Sequence, residues 1–142
     1  MTDAVLRELL AAGDRAVAEA LRRAPGVIAE CVVRSAAELG AKVRLGKPES
    51  IEEATTRSLG LRVWQDGRAG LASTNDFSPP GIARTVRAAL DLLELAEPDA
   101  FGAPVDPRQT IDPRSIPELE LLDPSVAAIG PEDALARASA VE

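Results

Sequence analysis

The side chains with chemical potential in this sequence are one thiol, a hydroxyl and carboxylate cluster, and a short run of glutamates. Cys31 lies in "VIAECVVRS" among aliphatic neighbours. A thiol becomes a nucleophile when a base or cation lowers its pKa, and with no histidine in the chain Cys31 reads as a buried structural thiol. Ser73 and Thr74 precede Asp76 in "ASTND", which without a base partner is the composition of an Asx or Ser turn. Glu49, Glu52 and Glu53 could offer oxygens to a hard cation. Their stretch lacks the dense ligands and turn glycine of a calcium loop, so a solvated charged face is expected.

The absence of histidine removes Ser-His-Asp and Cys-His schemes and every His-ligated zinc site. Catalysis would fall to carboxylates or lysine, and no spacing here favours a paired-carboxylate hydrolase. The glycines of "LGLRVWQDGRAG" match neither the dinucleotide fingerprint nor the phosphate loop. Trp64, flanked by Arg62 and Arg68, is the residue most suited to recognition: it is either a core side chain or an interface anchor. Catalytic and metal-binding residues are therefore expected to be none, with Arg62, Trp64 and Arg68 as candidate interaction residues.

These residues must be positioned by a small set of elements. Thr2 can cap a first helix in which Leu6, Leu10, Val17 and Leu21 recur at near-helical spacing, ended by Arg22, Arg23, Pro25 and Gly26. From Val27 the pattern becomes β-branched and alternating, and "VIAECVVRS" and "AKVRLG" read as two strands turning near Ser35–Glu38. "GKPESIEEATTRS" divides evenly: Ser50 with Glu53 resembles a capping box, while Pro48, Ile51, Thr55 and Thr56 suit a strand after a Gly46-Lys47 turn. Asp66-Gly67 reads as a type I′ hairpin turn that sets Val63 opposite Gly70, Leu61 opposite Ala72, Trp64 opposite Ala69 and Arg62 opposite Leu71.

Ser78 then caps a second long helix, with Pro79 in its first turn, Phe77 stapled on Ile82, and a stripe of Ile82, Val86, Ala89, Leu90 and Leu93. Residues 98–131 hold seven of the eleven prolines and read as extended chain, too apolar at "ELELL" for a free tail. Three parts are expected: a core over 1–97, the Pro-rich segment packed on it over 98–130, and the start of a third helix over 131–142. That helix runs to Glu142 with no stop signal, so a truncated element is expected.

The apolar fraction of 46% is almost entirely Ala, Leu and Val, so the core must be aliphatic. A net charge of -7 opposes binding to phosphate backbones, which argues against nucleic acid as a partner. No stretch approaches the roughly 20 apolar residues of a membrane helix, and "MTDAVLRELL" lacks the basic start of a leader. A single cysteine forms no internal disulfide, and a cytoplasmic location is expected.

The segments "LGLRV-x-x-x-GR-x-G-x-AST-x-D" (59–76) and "SP-x-x-IARTV-x-AALD" (78–91), followed by "LELLDP", resemble the N-terminal domain of the TldD/PmbA family, nearer its PmbA (TldE) branch. The resemblance implies an α+β fold: a largely antiparallel five-stranded meander, with "ESIEEATTRS" as a strand, flanked by two long helices. It implies shape-setting roles for Asp66, Gly67, Gly70, Ser73, Asp76 and Ser78. It further implies a cytoplasmic zinc metalloprotease acting on unfolded proteins or peptides. There the TldD-type subunit carries an H-E-x-x-x-H zinc motif and the TldE-type subunit pairs with it. No cofactor is expected in this chain, and zinc is expected in the C-terminal part of a TldD-type partner. The alternative is a free-standing module that holds peptides or partners at exposed sheet edges.

Overall fold

The computed structural model describes residues 3–121 and 123–142; the expected Thr2 cap lies outside them. The order of elements is α1 (Asp3–Arg23), β1 (Ile28–Arg44), β2 (Lys47–Gln65), β3 (Arg68–Thr74), α2 (Pro79–Leu95), short 3-10 turns at Pro107–Gln109, Pro113–Ser115 and Pro124–Ala128, and α3 (Pro131–Val141). The strands form a three-stranded sheet in the order β1-β2-β3.

The five-stranded expectation is thus corrected to three, because two pairs of expected strands are fused. No turn forms at Ser35–Glu38, where β1 runs on through all 17 of its residues. That stretch contains neither glycine nor proline, and Ser35 is its one turn-forming residue. Likewise "ESIEEATTRS" and "LGLRVWQ" are one 19-residue strand. The chain reverses instead at Leu45-Gly46, where both residues take left-handed φ, 52° and 68°. A two-residue link of this kind joins antiparallel neighbours. The second reversal is Asp66-Gly67, with φ of 51° and 74°. Its antiparallel register pairs Val63 with Gly70, Leu61 with Ala72, Arg62 with Leu71 and Trp64 with Ala69.

Strand alternation sends Leu59, Leu61 and Val63 to one face of β2, where all three are fully buried beside Ile82 and Val86 of α2. Each such side chain contributes roughly 1.5–3 kcal/mol relative to exposure. α2 lies directly on β3. A Cβ placed on Gly70 would stand 2.0 Å from the Ala89 carbonyl oxygen and 2.7 Å from the Leu93 nitrogen, so only glycine allows this approach.

α1 buries a different stripe from the expected one. Leu9, Ala12, Ala16 and Ala20 are buried, while Leu6, Leu10 and Leu21 remain 42%, 58% and 45% exposed. Alanines let α1 pack close to its neighbours, and their small side chains give a weak apolar signal beside the larger leucines. Near its end, Glu19 accepts hydrogen bonds from Arg22 (2.7 and 2.9 Å) and Arg23 (2.5 Å). These guanidinium contacts, Arg22 first, lower its carboxyl pKa to about 2.

Two compact units emerge: Met1–Ser35 with Thr56–Pro107, and Ala36–Thr55 with Arg108–Glu142. The first contains the buried core just described. In the second, the distal halves of β1 and β2 are accompanied by α3. Leu61→Ala should cost about 3 kcal/mol by the loss of a fully buried side chain. Gly60→Ala, whose added Cβ meets nothing within 4 Å, should stay within about 0.5 kcal/mol of the parent. Urea unfolding followed by circular dichroism measures both.

Candidate functional site

The sheet face turned away from Leu59, Leu61 and Val63 is the place to look for a site, because it presents Arg62 and Trp64. Trp64 is 6% exposed but is not among the residues of the aliphatic cluster. It lines a cleft of about 360 Å³ together with Gly26, Ile28, Ala100, Gly102 and Pro104. The Pro-rich segment therefore reaches the tryptophan. That segment is fastened to the hairpin by Asp99 N, which donates to the Gly67 carbonyl at 2.7 Å, and within the segment Phe101 N donates to Asp99 Oδ1 at 2.8 Å.

Arg62 holds its guanidinium carbon 5.5 Å from the Trp64 ring centroid, a cation–π distance. Its Nη1 is also 3.8 Å from Glu30 Oε1, with both side chains about half exposed. Beside this pair the same face exposes Val32 and Leu71. Arg68 is not part of the group. Its Nη1 donates to the Glu94 carbonyl at 3.2 Å, so it neutralises the C-terminal end of α2. The structure brings Arg62 and Trp64 together and separates Arg68 from them.

The motif residues after the hairpin build a helix start. Asp76 N donates to Thr74 Oγ1 at 3.0 Å, Ser78 N donates to Asp76 Oδ1 at 3.0 Å, and Gly81 N donates to Ser78 Oγ at 3.2 Å. Arg84 donates to Asp76 Oδ2 at 2.8 Å. These bonds, with those from Ser78 the strongest and the Arg84 charge adding to them, hold the Asp76 carboxyl below its ordinary range. The Thr74 contact is the kind of turn that the local composition of "ASTND" suggests; Arg84 is legible only as part of the longer motif. Ser73 lies across from Gly60, exposed on the open sheet face.

The other candidates are scattered. Cys31 is half-buried, and desolvation pushes its thiol upward, away from thiolate chemistry. It lines an apolar groove of about 390 Å³ between α1 and β1, with Leu6, Leu10, Val17 and Val33. Glu49 is paired with Lys42 at 2.7 Å and approached by Arg44 at 3.8 Å. Among the described residues, no three acidic or cysteine side chains converge as metal ligands would. Among the described residues, the carboxylates and Cys31, with no histidine beside them, do not assemble a zinc-ligand set.

Residues 29–93 match the family model described as PmbA/TldA metallopeptidase domain 1. The chain is 34% identical over 131 residues to "Metalloprotease PmbA" of Escherichia coli O157:H7, across 91% of this chain. The chain belongs to the PmbA/TldD family. A "Metalloprotease PmbA homolog" of Haemophilus influenzae is 34% identical over 74 residues, 52% of this chain. The crystal structure of TldE from Thermococcus kodakarensis shares the fold, with a TM-score of 0.54 at 20% identity over 63% of this chain. The matched regions make up 28% and 16% of the two curated PmbA relatives and 20% of the TldE chain. The family match includes β2, β3 and nearly all of β1 and α2, so the motif residues sit inside it.

Because the Asp76 carboxyl is held below its ordinary range, its contribution to stability is present above about pH 4 and lost as pH falls through the lowered value. Asp76→Ala should therefore melt below the parent at pH 7, and the gap should close in acid; thermal unfolding between pH 2 and 7 reads this. Ser78→Ala should cost about 1 kcal/mol at neutral pH by removing the cap.

Proposed function

We propose that this chain acts as the non-catalytic first domain of a PmbA-type subunit in a cytoplasmic metalloprotease that handles unfolded proteins or peptides. The observation that carries the reading is the match to a protein named metalloprotease PmbA along 91% of the chain, in a sequence without histidine. In this reading zinc chemistry belongs to a TldD-type partner. The domain's work is to help enclose substrate and to present the open sheet face to that partner. Arg62 gives the face a directional charge, Trp64 holds Arg62 from below, and Val32 and Leu71 supply apolar area. Asp66, Gly67, Gly70, Ser73, Asp76 and Ser78 serve by shaping the scaffold.

A second reading is supported by the apolar groove beside β1, which lies at an outer position in the sheet order. An extended peptide could add to that strand without any partner subunit.

The two are separated by mixing the purified chain with a TldD-type subunit and by titrating it with labelled unfolded peptides. The first reading expects no peptide hydrolysis by the chain alone, co-elution with the TldD-type subunit, and at least tenfold weaker association for Arg62→Glu with Leu71→Asp. Peptide binding with no affinity for that subunit would favour the second. Hydrolysis by the chain itself would defeat both.

A further inference from the structure

We propose that the tip of the β1–β2 hairpin is a carboxylate receptor, and that Glu142 occupies it to latch α3 as a releasable strap over the distal part of β1. Leu45 and Gly46 both have left-handed φ, and consecutive amides in such a turn can form a concavity suited to an anion. Here both are engaged. Leu45 N donates to Glu142 Oε1 at 2.5 Å, and Gly46 N donates to Oε2 at 2.9 Å, so one carboxylate spans the turn.

The charge around the tip agrees with this occupant. Lys42, Arg44 and Lys47 stand within a few residues of the turn and only Glu49 opposes them, in a chain whose net charge is -7. The helix supplies the complement, with Glu132, Asp133 and Glu142 against Arg137.

The strap follows the direction of β1. Ala37 and Leu39 share a groove with Gly130, Pro131 and Ala134, and Ala41 and Val43 share the next with Ala138 and Val141. None of the 11 residues of α3 is fully buried. With so little of α3 buried, the Glu142 contact contributes much of what holds this part of the helix on the strand. Releasing Glu142 would uncover Leu39, Ala41 and Val43 as an aliphatic strip.

Amide hydrogen exchange by NMR on the 142-residue chain tests this. In the parent, the Leu45 and Gly46 amides should exchange at least tenfold more slowly than in Glu142→Ala. The amides of residues 135–141 should lose protection in that variant, while those of Leu59–Val63 keep theirs. Leu45→Asn, which keeps the amide and tolerates left-handed φ, should behave as the parent. Equal Leu45 and Gly46 rates in parent and Glu142→Ala would overturn the receptor. Undiminished protection of residues 135–141 in Glu142→Ala would overturn the strap.

Discussion

The structure depends on one close contact: the backbone of β3 at Gly70 lies against the backbone of α2 at Ala89 and Leu93. With no side chain between them, the helix can lie low enough for Ile82 and Val86 to reach Leu59, Leu61 and Val63. The elements on either side are arranged to bring that contact about. The Asp66-Gly67 turn sets the register that makes Gly70 the partner of Val63. The Thr74, Asp76, Ser78 and Gly81 hydrogen bonds then fix where α2 begins. Arg68 holds the other end of the helix through the Glu94 carbonyl. Small residues continue this logic in α1, whose buried face is largely alanine.

What could be read from the sequence follows from which residues leave a local mark. Asp66-Gly67 is a strong turn signal, and its register followed from counting outward. Ser78, Pro79 and Phe77 mark a helix start in the same way. Leu45-Gly46 has the same backbone but a leucine where asparagine or aspartate is usual, so the sequence suggests this turn only as one alternative, one residue later at Gly46-Lys47, and an extra turn is expected near Ser35–Glu38. The continuous 17- and 19-residue strands carry no internal punctuation that would reveal their length. Alanines hid the buried face of α1. The pairing of Arg62 with Trp64 could be guessed from their alternate positions on one strand. The assignment of Arg68 to the end of α2 could not, because its partner is a main-chain carbonyl 26 residues away.

The candidate chemistry divides along the same line. Residues that a sequence scan would nominate for reaction are used for shape: Asp76 and Ser78 in a helix cap, Cys31 beside an apolar groove, Glu49 in an ion pair with Lys42. On the open sheet face, Arg62 lies over Trp64 between exposed aliphatic side chains, and none of these is taken up by the cap, the turn or the aliphatic core cluster. A family named for peptidase activity thus includes a domain whose motif is best explained by packing. The motif's glycine, aspartate and serine occupy positions that set an approach distance, a turn and a cap.

The central claim is that this motif exists to hold a helix on a strand, and Gly70→Ala tests it most directly. Its added methyl would meet main-chain atoms that cannot rotate away, so the cost should be about 3 kcal/mol or more. The decisive measurement is the urea midpoint of Gly70→Ala beside that of Leu71→Ala, a neighbour on the exposed face. The account predicts a large fall or loss of cooperative unfolding for the first and little change for the second. Equal midpoints for Gly70→Ala and the parent would contradict it.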